Sequence, residues 1–222
     1  GNYVFPSSTK IVAYQGTIDA LLVSSVAGIA RTMRGTVGGD MSVFDGVELR
    51  VPDIGFDKFW SVDLGGKVVE MHWFGPSMSP NDSVVYLPGE KIAWTANLIF
   101  GAGTIPWARS GGVAAYHSTL TKMAATIAPT TIVSGHGAIT DGEAVTHYLS
   151  YLENVLKSAT HAVENGESAE SFYASAAVDA NLTITPDLQQ LMTGFHRWNL
   201  KAAYAESKRA QEVQTEQSGF QK

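Results

Sequence analysis

The segment 59–97 constrains the fold most, because it contains two predicted β-hairpins in direct succession. The first, "FWSVDLGGKVVEMHWF", turns at its Gly-Gly pair, and the second, "SVVYLPGEKIAWTAN", turns at its Pro-Gly pair. Such pairs between β-rich runs are typical of tight hairpin turns. A predicted helix at about 113–127, a buried strand in "TTIVSGHG" and a long helix follow. This order predicts an α/β (α+β) fold, with a sheet covered by helices on its outer face.

The other elements are predicted from hydrophobic periodicity and capping residues. In chain order they are the strand "KIVAY", the helix Thr17–Arg34, the strand "VELRVPDIGF", which Pro52 and Asp53 break, and helices at about 168–177 and 186–208. Thr140 and Glu143 have capping-box spacing for the long helix, which a later Asn-Gly pair ends. The polar segment 209–222 is expected to fray. No linker or repeat is visible, so we expect a single domain over 1–222.

Composition excludes several classes of protein. The chain of 222 residues has no cysteine, which excludes disulfides, thiolate metal sites and a cysteine nucleophile. The formal net charge is -6, so the charge balance favours neither nucleic acid nor an anionic membrane as a partner. The run "IDALLVSSVAGIA" is too short to span a bilayer, and no signal-peptide pattern is visible. We expect a cytoplasmic location, with a processed periplasmic chain as the alternative.

Three motifs occur in a fixed order: "PDIGFD", "GPSMSPNDSVVYLPGEKIAWTANLIF" and, after a helix, "IVSGHG". In order and spacing they resemble the C-terminal half of the metallo-β-lactamase superfamily, which has an αββα sandwich fold and consists mostly of hydrolases. The resemblance runs from Gly1 to about Tyr204. The family's first metal motif, HxHxDH, does not occur in these 222 residues. The resemblance therefore implies the C-terminal, larger part of such a domain, with the missing ligands on its own precursor or on a partner chain.

Three residues fall where the family has metal ligands in this half. The histidine of "GPxHTPGD" falls on Met78, the aspartate of "GDL" on Asn97, and the histidine of "GHG" on His136. A thioether is a poor zinc ligand, and a neutral amide bridges two cations badly. The resemblance thus implies one divalent metal, zinc in the first place, held by Asn97, His136 and an upstream aspartate and histidine. The structural alternatives are a helix-capping loop histidine, a turn asparagine and a packing methionine.

The resemblance also implies a hydrolase in which a metal-activated hydroxide attacks a small, apolar electrophile. Phe100 and Trp107 closely follow Asn97, and with Met78 they are the predicted substrate-binding wall, unless they fill the core instead. Asn97 resembles the asparagine of hydrolytic dehalogenases that act on chlorinated aromatics such as chlorothalonil. Two alternatives stay open: a degenerate scaffold or binding module, and a two-metal lactonase or β-lactamase-like hydrolase. The expected partners are the small substrate, the upstream segment and, as a further option, a second copy in a homodimer.

Overall fold

The computed structural model describes residues 1–175 and 188–219, which belong to two units, Gly1–Phe59 and Trp60–Lys222. The first unit contains two strands and two α-helices: β1 (Val12–Tyr14), α1 (Gln15–Leu22), α2 (Val26–Met33) and β2 (Ile54–Phe56). β1 and β2 pair in parallel as a two-stranded sheet, and α1 follows β1 directly.

The single helix predicted over Thr17–Arg34 is wrong, because two serines separate α1 from α2. The Ser24 hydroxyl donates to the carbonyl of Ala20 at 2.6 Å. The Ser25 hydroxyl accepts from the backbone N–H of Gly28 at 3.1 Å and caps α2. Serine side chains that bond to nearby backbone groups compete with the helical ladder, and they favour caps over helix interiors.

The strand predicted in "VELRVPDIGF" is confirmed only over β2. Pro52 lies just before β2 and has no N–H to donate to a ladder. The Asp53 carboxylate instead accepts from the backbone N–H of Ile11 at 3.0 Å. The Arg50 guanidinium donates to three backbone carbonyls, those of Phe5, Pro6 and Thr9. Together with these side-chain bonds, the backbone N–H groups of Asp53 and Ile54 donate to the carbonyl of Ile11, at 2.8 and 3.0 Å, and hold this segment beside β1.

The second unit is built on a five-stranded sheet with the strand order β3-β4-β5-β6-β7. The strands are β3 (Phe59–Asp63), β4 (Val68–His72), β5 (Val84–Leu87), β6 (Ile92–Ala96) and β7 (Thr131–Ser134). Strands β4, β5 and β6 are antiparallel neighbours, and the predicted turns join β3 to β4 and β5 to β6. β6 and β7 are parallel, with Ala93 opposite Ile132 and Ala96 opposite Ser134. The parallel pair is the feature that positions the candidate site.

Four helices complete the described part of this unit: α3 (Val113–Thr126), α4 (Glu143–Glu164), α5 (Ala169–Ser175) and α6 (Gln189–Gly219). α3 connects β6 to β7, and α4 packs against both α3 and α6. Apolar side chains of β5, β6, β7, α3, α4 and α6 form one buried cluster. Its fully buried members include Val84, Ala93, Ile132, Leu120 and Leu152. The sheet is therefore covered by helices, as the order of elements predicts.

The ends of α4 show one correct and one wrong prediction. Gly166 has a φ of 69° after the last turn, as expected of a glycine that ends a helix. The predicted cap, Thr140, is wrong: the Asp141 carboxylate accepts from the backbone N–H of Glu143 at 2.9 Å. Thr140 instead pairs with Ile132 in an isolated backbone bridge. An aspartate nearer the helix start takes the capping role because the bridge occupies the threonine.

The helix α6 runs to Gly219, through most of the segment predicted to fray, 209–222. This part of α6 consists mainly of Gln, Glu, Arg and Ala, and all four are strong helix formers. Parts of three predictions lie outside the described residues, namely 176–177, 186–187 and 220–222. In the part of the chain that the structure describes, no helix combines the length and the apolar character needed to cross a membrane.

Candidate functional site

Asn97 and His136 follow the ends of two neighbouring parallel strands. β6 ends at Ala96 and β7 ends at Ser134, and these two residues are opposite each other in the sheet. Just past the strands, the backbone N–H of Gly135 donates to the carbonyl of Ala96 at 2.8 Å. Carboxyl ends of parallel strands lie at the same sheet edge, where α/β proteins commonly bind ligands. The fold therefore brings the loops of Asn97 and His136 to one edge.

The approach of the two loops leaves no room for a side chain at residue 135. A Cβ added to Gly135 would lie 2.8 Å from Asn97 Oδ1, 2.9 Å from the Ala96 carbonyl carbon and 3.0 Å from its oxygen. Ala96 has a φ of 45°, a left-handed conformation that is uncommon outside glycine. This turn starts the loop that follows β6, and the carboxamide of Asn97 lies directly against the loop of His136.

His136 is exposed, and its ring stacks on the buried ring of Phe100, with centroids 5.4 Å apart and an interplanar angle of 14°. The backbone of His136 is fixed as well, because the Ser134 hydroxyl donates to its carbonyl at 2.8 Å. Gly101, with a φ of 136°, packs so closely that an added Cβ would lie 2.6 Å from the same carbonyl oxygen. The imidazole thus has one face on Phe100 while its edge reaches solvent.

Buried tyrosines of α3 and α4 hold the β6–α3 loop (residues 97–112) through hydrogen bonds from their hydroxyl groups. The Tyr116 hydroxyl donates to the carbonyl of Leu98 at 2.7 Å. The Tyr148 hydroxyl accepts from the backbone N–H of Phe100 at 3.1 Å and shares a 2.6 Å hydrogen bond with the Thr104 hydroxyl. Burial raises the pKa of Tyr116 well above its usual value and the pKa of Tyr148 to about 12. Both phenols therefore stay protonated at neutral pH.

Asn199 of α6 anchors the second half of the β6–α3 loop. Its carboxamide donates to the carbonyl of Pro106 at 2.7 Å and accepts from the backbone N–H of Ala108 at 2.9 Å. The same side chain donates to the hydroxyl of Tyr151 at 3.0 Å, and that hydroxyl lies 2.8 Å from Nδ1 of His196. A buried polar network of this kind specifies one loop conformation. Sequence motifs did not indicate these residues, because buried tyrosines on helices have the pattern of ordinary core positions.

The aromatic residues after Asn97 form a continuous row with α6. Phe195 lies 5.4 Å from Phe100 and stacks on Trp107 at 4.7 Å and 6°. Trp107 in turn meets the edge of Trp198 at 6.3 Å. Phe100 and Phe195 are buried, whereas Trp107 is half-buried and Trp198 is exposed. One end of the row therefore fills the core and the other reaches the surface, and the substrate-binding role of Phe100 and Trp107 stays a prediction.

Met78 lies in the β4–β5 loop (residues 73–83), which an aspartate organises. The Asp82 carboxylate accepts from the hydroxyls of Ser77 and Ser79 and from the Ser79 backbone N–H, at 2.6 to 2.8 Å. Met78 is partly buried against the main core, and its carbonyl accepts from the backbone N–H of Ser110 at 3.2 Å. Its recorded backbone contact is thus with the far end of the β6–α3 loop, away from the strand ends.

Asn97 and His136 offer an amide oxygen and an imidazole, which is fewer donors than a zinc site needs. Within residues 1–175 and 188–219, no three His, Cys, Asp or Glu side chains are grouped so that they could hold a metal ion. A catalytic zinc site needs three protein ligands. An imidazole and an amide oxygen therefore fit part of such a donor set and do not complete it. His72, the other histidine near the sheet, lies 2.9 Å from a carboxylate oxygen of Glu70 and stacks on Phe74.

A cleft with a volume of about 450 Å³ lies elsewhere in this unit. It is lined by the Gly101–Thr104 part of the β6–α3 loop, by Asp141, which precedes α4, and by residues of α4 that include Glu143 and His147. Neither Asn97 nor His136 lines it. At the candidate site itself, Asn97 is half-buried and His136 is exposed.

No protein-family model matches the chain, and a search of curated proteins finds no match. Solved structures do match. The sec-alkylsulfatase Pisa1 from Pseudomonas sp. is 17% identical, with a TM-score of 0.61 over 89% of this chain and 36% of its own length. A metallo-β-lactamase from Pontibacter korlensis is 19% identical, with a TM-score of 0.43 over 58% of this chain and 64% of its own length.

The match to the alkylsulfatase extends over most of the described structure, and at this identity it is a likeness of fold alone. The chain has the predicted α/β fold, which is similar to that of the sec-alkylsulfatase. It spans about one third to two thirds of the length of these solved structures. The activity, the metal and the substrate are therefore matters for a proposal.

Proposed function

We propose that this chain belongs to a metal-dependent hydrolase in which Asn97 and His136 are two ligands of a single divalent metal, zinc in the first place. The observation that carries the proposal is the parallel β6–β7 pair. It brings both loops to one sheet edge, where the backbone N–H of Gly135 donates to the carbonyl of Ala96 at 2.8 Å. Imidazole nitrogen and amide oxygen are both suitable donors for such an ion.

The remaining ligands would come from a segment outside the described residues that carries an aspartate and a histidine. The described residues supply no third His, Cys, Asp or Glu to the group. A divalent ion acts in hydrolysis as a Lewis acid that polarises the substrate and activates water. The neutral amide of Asn97 favours one ion over two, because it lacks the charge of a bridging carboxylate. Met78, which packs against the core, provides no imidazole for a second ion.

A small, apolar electrophile is the proposed substrate. Phe100 lies under the ring of His136, and the aromatic row continues from it to the half-buried Trp107. Apolar and aromatic walls with few polar groups are typical of small-molecule sites. The finer proposal, hydrolytic dehalogenation of a chlorinated aromatic, depends on Asn97 alone. Met78 is the proposed wall residue on the β4–β5 loop.

Titration with Co²⁺ tests the metal ligands. We expect paramagnetic broadening of the NMR signals of the His136 ring and of the Asn97 side-chain amide before those of other residues. His136→Ala should weaken Co²⁺ binding about tenfold or more, since even second-shell changes weaken metal sites about 10–100-fold. The matched control is His147→Ala, which removes an exposed histidine of α4 and should leave affinity unchanged. Equal broadening at all histidines would contradict the ligand assignment.

The reaction class is tested with the complete protein that carries this chain. Metal content is measured first, and hydrolysis is then compared for chlorothalonil, a lactone, a β-lactam and an alkyl sulfate. One metal per chain and loss of hydrolysis in His136→Ala would support the proposal. Two metals with lactone or β-lactam hydrolysis would favour the two-metal alternative. No metal and no hydrolysis, with the fold intact, would favour a scaffold or binding module.

A further inference from the structure

A second cavity, of about 380 Å³, lies between the last part of the β6–α3 loop and α6. Its lining combines three cationic side chains with one large aromatic side chain: Arg109, Lys201, Arg209 and Trp198. It shares no residue with the candidate metal-ligand set of Asn97 and His136. The function of this cavity is therefore a separate question from the metal site.

The positive charge of this cavity is not neutralised by ion pairs in the described part of the chain. The salt bridges described there involve none of Arg109, Lys201 and Arg209. One carboxylate, Glu206, also lines the cavity, but its two oxygens accept from backbone N–H groups at the start of α3, at 2.8 and 3.0 Å. The chain has a net charge of -6, but this cavity has more cationic than anionic side chains, so it attracts anions locally.

The apolar part of the cavity is rigid. Trp198 is 48% exposed, yet its indole N–H donates to the carbonyl of Ala108 at 3.1 Å, which fixes the ring. Its neighbour Trp107 carries the guanidinium of Arg109 over its face, 5.3 Å from the ring centroid. Small side chains of α6, including Ala202, line the space beside Trp198. A fixed aromatic surface next to guanidinium groups suits a ligand with an apolar body and an anionic group.

We infer that this cavity binds a small organic anion, such as an aromatic carboxylate or sulfonate. The anionic group would contact Arg109 and Arg209, and the apolar body would lie on Trp198. Guanidinium groups bind carboxylate and sulfonate oxygens through paired, charge-assisted hydrogen bonds. The inference does not depend on the proposed metal ligands, because neither Asn97 nor His136 lines this cavity.

Calorimetric titration with 1-naphthalenesulfonate and with the neutral 1-naphthol tests this site in the whole chain. We expect the sulfonate to bind at least about tenfold more tightly than the naphthol, which corresponds to one charge-assisted hydrogen bond. Arg109→Gln and Arg209→Gln should each weaken sulfonate binding about tenfold. Both arginines are exposed, so the urea unfolding midpoint should not change. Added salt should weaken binding, because exposed charges are screened.

The matched control is Lys208→Gln, which removes an exposed charge next to Arg209 on the same helix. It should leave sulfonate affinity within about twofold of the wild type, since a charge that does not contact the ligand adds little. His136→Ala should also leave it unchanged, which separates this cavity from the metal site. Equal binding of sulfonate and naphthol, or equal weakening in Lys208→Gln and Arg209→Gln, would overturn the inference.

Discussion

The contact between the two strand ends can be tested by adding a single methyl group. Gly135→Ala places a Cβ 2.8 Å from Asn97 Oδ1 and 2.9 to 3.0 Å from the carbonyl group of Ala96. The Asn97 side chain can rotate away, but the Ala96 backbone cannot, because it accepts the 2.8 Å hydrogen bond from Gly135. The methyl group is therefore accommodated only if the two loops separate or the hydrogen bond breaks.

The close contacts of the added Cβ make Gly135→Ala a case of overpacking, with an expected loss of stability. Overpacking of this kind costs about 1–3 kcal/mol, and we take about 2 kcal/mol as the expected loss. For a chain of this length, about 2 kcal/mol corresponds to a fall in Tm of about 4–8 °C. Urea unfolding should show a lower midpoint with an unchanged m value. The free energy of Co²⁺ binding should fall by more than the free energy of unfolding, because the two proposed donors separate while the fold remains.

The matched control is Gly89→Ala in the turn between β5 and β6. An added Cβ there has no atom within 4 Å, so we expect a change in stability of about 0.5 kcal/mol or less, of either sign. Both variants make the same chemical change, and only one of them falls between the strand ends. If Gly135→Ala were as stable as Gly89→Ala and bound Co²⁺ like the wild type, the two loops would not lie in the described contact.

Three further outcomes are expected. Tyr148→Phe should lower the free energy of unfolding in urea by about 2–3 kcal/mol, because the buried N–H of Phe100 loses its acceptor. The control is Tyr173→Phe, at a half-buried position, which should lower it by less than about 0.5 kcal/mol. Stability should fall above pH 10, because unfolded tyrosine ionises there while the folded pKa of Tyr148 is about 12. Tyr148→Phe should lose less stability than the wild type between pH 10 and pH 12, and an equal loss would contradict this. Asp82→Ala should lower the free energy of unfolding by about 2 kcal/mol, because the β4–β5 loop loses three hydrogen bonds. Asp57→Ala, at an exposed position, should lower it much less, and equal losses would show that Asp82 does not organise this loop.

Local signals in the sequence predict most of the second unit. The hairpin turns, α3, β7 and the glycine that ends α4 all depend on residues close in the chain. Capping is harder to predict, since Thr140 and Asp141 are both suitable and a backbone bridge decides between them. The break between α1 and α2 has a similar origin, because serines are tolerated inside helices until their hydroxyls find backbone partners.

The geometry around the candidate site depends on contacts that no local pattern encodes. Tyr148 bonds to Phe100 from 48 residues away, and Asn199 bonds to Ala108 from 91 residues away. The motif resemblance indicated Asn97 and His136 but gave no information on what fixes their loops. The basic cavity was missed for the same reason, because Arg109 and Arg209 are distant in sequence and meet only through the packing of the β6–α3 loop beside α6.

The position of Met78 bears on how many metals such a site can hold. Its side chain packs against the main core, and its backbone is tied to the β6–α3 loop through Ser110. A histidine at this position would bury a polar ring among apolar neighbours, and that costs free energy unless a partner is supplied. The loops of Asn97 and His136, in contrast, are held by backbone and tyrosine contacts that need no metal. Met78 thus contributes to the packing, while the loops of Asn97 and His136 are held in place by their own contacts, and both observations fit the single metal that we propose.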